Sequence, residues 1–292
     1  MIKNLALCTI TAATLLALTP SANARTMIQN KGSDTLVNVA QAWAEAYQKV
    51  KPEVAIAVTG GGTGTGIAAL INNTVDIANA SREIKDKELT AAKTNGITPV
   101  EHIVGFDALA IYAHKDNPLT TISISQLAEM YGEGGKTRKW SDIGIHVPGC
   151  KEQKIILVSR QNNSGTYAYF RERVLGERRD FVLGTKDMHG SKDVVDLVAR
   201  TPCAIGYSGL AYTTPGVKLL NVAEKTGEPG IAPSMATAID KSYPIARSLL
   251  MYTPGEPKGD VKTYMDWIKS DAGQCILQNK GYAPYHPVSC GK

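Results

Sequence analysis

Apolar residues at Leu36, Ala40, Trp43 and Tyr47 recur at helical spacing, so Thr35 to Lys49 is expected to form an amphipathic helix with one buried stripe. The pattern then changes. Val54-Ala55-Ile56-Ala57-Val58 is continuously apolar and partly β-branched, which predicts a strand buried on both faces. Ile67 to Ile71 and Tyr167 to Leu175 read as helical, and further strands are expected at Val75–Ala78, Val100–Val104, Leu109–Ala113, Ile155–Val158 and Ala204–Tyr207. Strands and helices that alternate in this way predict an α/β chain. A chain of 292 residues exceeds one typical core, so two lobes are expected. No repeat and no low-complexity linker separates them, which points to lobes that share the chain in an interleaved way.

The first residues stand apart from this pattern. Met1 to Ala24 carries Lys3, an apolar run from Leu5 to Leu18 and the triplet Ala22-Asn23-Ala24, which together read as a secretory signal peptide with its cleavage site. The run is too short to span a bilayer. Cys8 falls inside that leader, leaving Cys150, Cys203, Cys275 and Cys290 for an oxidising compartment. Four cysteines allow three pairings. Cys150 with Cys203 and Cys275 with Cys290 is preferred, because each closes a loop within one stretch of chain, but sequence leaves the choice open. No C-x-x-C spacing occurs and no histidine lies beside a cysteine, which argues against a zinc site.

Composition adds little beyond class. With 43% hydrophobic and 20% charged residues the chain reads as a soluble globular protein. Its net charge of +5 is scattered without a basic run, which argues against nucleic-acid binding and suits a small anion without demanding one.

Candidate chemistry sits where strands or loops feed helices. Gly32-Ser33-Asp34-Thr35 precedes the first helix, where unpaired N–H groups carry partial positive charge; capping by Ser33 or Asp34 would explain this motif by itself. Gly60-Gly61-Gly62-Thr63-Gly64-Thr65-Gly66 follows a strand and precedes a helix, with glycines for close backbone approach and threonines for hydroxyl donors. It has no lysine after Gly66 and no G-x-G-x-x-G spacing, so neither a Walker loop nor a dinucleotide fingerprint is present. Arg160-Gln161-Asn162-Asn163-Ser164-Gly165-Thr166 repeats the arrangement and adds a guanidinium. Three such junctions in one α/β chain point to an oxyanion site. A secreted phosphatase would need a nucleophile beside a base, and no histidine neighbours Ser33, Ser81 or Ser164 in sequence.

These motifs, with Val75-Asp76-Ile77-Ala78-Asn79-Ala80-Ser81-Arg82, Ala204-Ile205-Gly206-Tyr207, Tyr243-Pro244-Ile245-Ala246-Arg247 and Gly281-Tyr282-Ala283-Pro284, carry a resemblance. The chain resembles the periplasmic phosphate-binding proteins of bacterial phosphate ABC importers over nearly all its length after the leader. The resemblance implies a type II periplasmic-binding-protein fold, in which two α/β lobes joined by two crossing hinge strands close on the ligand. One lobe would comprise residues 25–107 plus 246–292 and the other residues 108–245. It also implies capture of inorganic phosphate in the periplasm and delivery to a membrane permease, by a monomer that needs no cofactor, no metal and no catalysis. Sulfate, molybdate or phosphonate is the rival ligand.

Carried over by position, the phosphate contacts would be Ser33, Asp34, Thr35, Thr63, Ser81, Arg160, Ser164, Gly165 and Thr166. The chain departs from the family in its third loop, where well-known members place an aspartate that accepts the proton of phosphate. Here Ser81 and Arg82 stand instead. Asp34 occupies a first-loop position where those members carry a hydroxyl, so the acceptor is expected to have moved there; capping the helix or pairing with Arg82 are the competing roles. Tyr207 and Arg247 are expected to serve packing and surface pairing.

Overall fold

A computed structural model describes residues 26–176 and 178–291. The leader read at Met1–Ala24 lies outside the described residues. In chain order the first half holds β1 (Thr26–Gly32), α1 (Val37–Val50), β2 (Val54–Thr59), α2 (Thr63–Ile71), β3 (Ile77–Ala80), α3 (Asp86–Thr94) and β4 (Val100–His114). Then follow β5 (Thr121–Ser123), α4 (Ile124–Tyr131), β6 (Ile156–Arg160), α5 (Gly165–Phe170), β7 (Lys186–Met188), α6 (Ser191–Ala199), β8 (Ala204–Gly209), β9 (Val217–Ala223) and α7 (Met235–Ile239). β10 (Ala246–Thr253), α8 (Gly259–Lys269) and α9 (Asp271–Asn279) complete the fold.

The strands lie in the order β2-β1-β3-β10-β4-β8-β6-β7, and β9 joins β4 to β5. β1 runs parallel to β2 and β3, and β6 runs parallel to β7 and β8, so each half has its own parallel ladder. β4 and β10 connect them. β4 pairs with β10 from Val100 to Ala108 and with β8 from Leu109 to Ala113, passing from one half of the sheet to the other within one strand. The two stretches expected as separate strands are therefore one. Asp107 interrupts the apolar pattern, but Arg247 lies directly opposite in the antiparallel register and supplies its partner.

Other expectations shift by small, explicable amounts. β2 is not buried on both faces: it closes the sheet at one end, and only Val54 is fully covered. α2 begins at Thr63, so half of the glycine tract is its first turns, with Gly61 and Gly62 at φ 107° and 91° making the entry that side chains disfavour. α1 begins at Val37 and has no side-chain cap, so neither Ser33 nor Asp34 serves that role.

Each half has its own core. α1 buries Ala40, Trp43 and Tyr47, as the stripe predicts, and Val39 besides, while Leu36 is buried just ahead of the helix; they pack among β1, β10 and the C-terminal helices. Trp43 donates its indole N–H to the Gly273 carbonyl at 2.7 Å, which satisfies the one polar atom that its burial would otherwise orphan. In the second half Phe170 stacks on Tyr207 with centroids 3.8 Å apart. Tyr207 is thus a core residue, as expected, and its hydroxyl meets Ser159 at 2.6 Å. Disulfides join Cys150 to Cys203 and Cys275 to Cys290, the preferred pairing. Among the described residues no helix is long and apolar enough to cross a membrane.

Candidate anion-binding site

Four loops meet where the two halves of the sheet face each other. The loop after β1 brings Ser33 and Thr35, the start of α2 brings Thr63, the end of β3 brings Ser81, and the turn from β6 to α5 brings Arg160, Ser164, Gly165 and Thr166. All of these are buried, and all but Gly165 have polar side chains. Ser33 Oγ donates to Ser81 Oγ at 2.9 Å, Thr63 Oγ1 lies 3.5 Å from Ser81 Oγ, and Thr35 Oγ1 lies 2.9 Å from Thr166 Oγ1. The last contact joins residues 131 positions apart and bridges the halves. Gly165 permits this approach, since a Cβ there would lie 2.2 Å from Thr63 Oγ1 and 2.6 Å from Ser81 Oγ.

Two of the hydroxyls, those of Ser164 and Thr63, are oriented by backbone N–H groups. Ser164 Oγ caps α5, accepting from Thr166 N at 3.1 Å and Tyr167 N at 3.4 Å. Thr63 Oγ1 accepts from Ser81 N at 3.1 Å. A hydroxyl whose oxygen is so engaged still has its proton to donate, which suits an acceptor-rich oxyanion.

Arg160 comes from the end of β6 and is buried. It donates to Asp34 Oδ2 at 2.9 Å, Ser191 Oγ at 3.0 Å and the His189 carbonyl at 2.7 Å. Burial pushes its pKa down and the Asp34 carboxylate opposes that shift. Asp34 Oδ1 accepts from Gly61 N at 2.8 Å. The expected alternatives for Asp34 are both corrected: it neither caps α1 nor pairs with Arg82, which instead binds Glu88 at 2.8 Å.

Further contacts seal this flank. Gly64 N donates to the Asn163 carbonyl at 2.9 Å, Asn163 Nδ2 donates to the Gly61 carbonyl at 3.0 Å, and Tyr212 donates to the Asp34 carbonyl at 2.8 Å. The opposite flank stays open as a cavity of about 830 Å³ lined by Arg82, Lys85, Tyr167, Tyr169, Lys241 and Arg247, among others. Among the described residues no group of three or more His, Cys, Asp or Glu side chains could hold a metal ion.

Sequence reasoning misplaced Arg247. It is not a surface residue: only 5% is exposed, and it pairs with fully buried Asp107 at 2.8 Å. Burial pushes the Asp107 carboxyl up, against the charge and hydrogen bonds of Arg247. Arg247 also reaches Thr166 Oγ1 at 3.0 Å, the Ser81 carbonyl at 3.3 Å and Thr35 Oγ1 at 3.3 Å. Its place in Tyr243-Pro244-Ile245-Ala246-Arg247 was the available signal, but nothing local tells that this arginine points inward.

The chain is similar to proteins already known. A family model described as a PBP superfamily domain matches residues 19–272. The phosphate-binding protein PstS of Pseudomonas aeruginosa is 32% identical, over 88% of this chain and 82% of that protein. Among solved structures, a substrate-binding protein from Clostridium perfringens, assigned to phosphate ABC transport and containing bound phosphate, is 27% identical with a TM-score of 0.79 and covers 89% of this chain and 100% of its own. An ABC-type phosphate transport receptor from Vibrio cholerae shares the fold at 24% identity and a TM-score of 0.70, with 89% and 100% covered. By its matched length, its identity to these relatives and its paired parallel ladders bridged by β4 and β10, the chain belongs to the PBP superfamily, in the family of the PstS proteins.

Proposed function

We propose that this protein is an extracytoplasmic substrate-binding protein that captures inorganic phosphate and delivers it to the permease of an ABC importer. The observation that carries this reading is the convergence of buried hydroxyls from four loops, with the buried guanidinium of Arg160 tied to the first of those loops through Asp34. The relatives' names point the same way. Ser33, Asp34, Thr35, Thr63, Ser81, Arg160, Ser164, Gly165 and Thr166 form the cage. Residues 25–107 with 246–292 act as one lobe, residues 108–245 as the other, and the lobes close by bending where β4 and β10 pass between them. The leader directs the chain to the periplasm, where it works as a monomer without nucleic acid.

Capture involves no bond making. Hydrogen bonds from hydroxyls, amides and a guanidinium to a charged acceptor are individually stronger than neutral ones, and closure removes competing water. The family to which the chain belongs is one of substrate-binding transport proteins and not of enzymes. Each oxygen of Asp34 accepts one N–H and has capacity for another donor, which leaves Asp34 able to take the proton of phosphate. A second reading, another tetrahedral oxyanion such as sulfate, molybdate or phosphonate, rests on Ser81 standing in place of the third-loop aspartate. Calorimetric titration with phosphate, sulfate and a phosphate monoester decides. Phosphate is expected to bind most tightly; preferential binding of sulfate would favour the second reading, and no heat with any of the three would refute the site.

A further inference from the structure

Arg247 and Asp107 face each other across β4 and β10, outside the four loops, yet the guanidinium touches three of them. Nε and one terminal nitrogen donate to Asp107 Oδ2 at 3.0 and 2.8 Å. The remaining donors go to Thr166 Oγ1 at 3.0 Å, the Ser81 carbonyl at 3.3 Å and Thr35 Oγ1 at 3.3 Å. A guanidinium only donates, so both threonine oxygens act as acceptors toward it. Each threonine then has its own proton for a different acceptor. The two oxygens lie 2.9 Å apart, and only one proton is needed to bond them to each other.

We propose that Arg247 is a positioning residue of the anion cage: by donating to the oxygens of Thr35 and Thr166 it turns a hydroxyl proton toward the bound oxyanion, while Asp107 fixes the guanidinium where the strands pass between the halves. This rests on the oxyanion reading given above. Asp107 neutralises Arg247, so the effect on affinity runs through the threonines and not through net charge. Thr63 and Ser164 receive the same treatment from backbone N–H groups, so Arg247 does for two side chains what the main chain does for the others.

The test is a double-mutant cycle read by calorimetry with inorganic phosphate. Thr166→Val is combined with Arg247→Gln/Asp107→Asn, in which both charges are replaced together so that neither is left buried alone. Each arm is expected to weaken phosphate binding by about tenfold, and the combination by much less than the product of the two, because both act through one hydroxyl. Losses that multiply to about a hundredfold overturn the proposal, as does unchanged affinity in the charge-replaced protein. If that protein lacks a cooperative thermal transition, Arg247→Lys replaces it in the cycle, since one ammonium keeps the charge beside Asp107 but lacks the fork that reaches both threonines. Wild-type protein that binds no phosphate would instead refute the site reading itself.

Discussion

Two arginine–aspartate pairs flank the cage, and they are built differently. Asp34–Arg160 joins loops 126 positions apart, one from each half, with the Asp34 side chain 19% exposed. Asp107–Arg247 joins directly opposed residues of two neighbouring strands, with Asp107 wholly covered. The first pair links the loop after β1 to the end of β6, whereas the second is fixed by sheet register. A pair between segments of different halves suits ligand capture; a pair made by register suits holding other groups in place.

The largest difference is expected in stability. Asp107→Ala leaves a buried guanidinium without its counter-ion and should cost about 3–5 kcal/mol in urea unfolding. Asp34→Ala also leaves a buried guanidinium, that of Arg160, without its carboxylate, but the Asp34 side chain is 19% exposed and water can take its place, so the cost should be smaller, about 1–3 kcal/mol. Equal losses would erase the distinction. Next comes ligand affinity. Arg160→Ala should weaken phosphate binding by about 1.5–3 kcal/mol in calorimetry, roughly ten- to a hundredfold, because hydrogen bonds to a charged partner are lost. Retained affinity would remove Arg160 from the cage.

Selectivity is the finer probe of the Asp34–Arg160 pair. Asp34→Asn should reduce the preference for phosphate over sulfate by about tenfold, near 1.4 kcal/mol, since an amide no longer repels a fully ionised oxygen. An intact preference in competition binding would leave Asp34 with a structural role only.

The smallest effect concerns the Arg82–Glu88 pair, which supplies an ordinary ion pair for reference. Burial raises the Glu88 pKa, but hydrogen bonds from Arg82 and Lys85 N outweigh it and hold the carboxyl below its usual 4.5. A carboxyl depressed on folding contributes stability above its unfolded value, and loses it as pH falls through the folded one. Wild-type protein should therefore lose stability more steeply than Glu88→Gln below pH 4.5, by under about 1 kcal/mol. Parallel pH profiles would show that the pair contributes nothing.

Much of the site was legible because its parts are local. Glycine, serine and threonine at the turns into α2 and α5, with Arg160 just ahead of α5, mark donor-rich junctions whatever the rest of the chain does. Both disulfides match the pairing that sequence preferred without deciding it. Arg247 was not legible: its inward direction depends on lying opposite Asp107, 140 positions away, and no local pattern encodes that register. The same reason explains β4. Val100–Val104 and Leu109–Ala113 looked like two strands because Asp107 broke the pattern, and only the partner across the sheet makes a charge acceptable there.

The chain alone dictated alternation of strand and helix, the placement of α1's buried stripe and the junctions that gather donors, because each depends on neighbours within a few turns or one loop. Folding in three dimensions decided what Asp34 binds, that β2 lies at an edge, and that a second guanidinium stands behind the threonines. Those outcomes depend on strand register and on the meeting of two halves, which bring together groups whose separation along the chain conceals them.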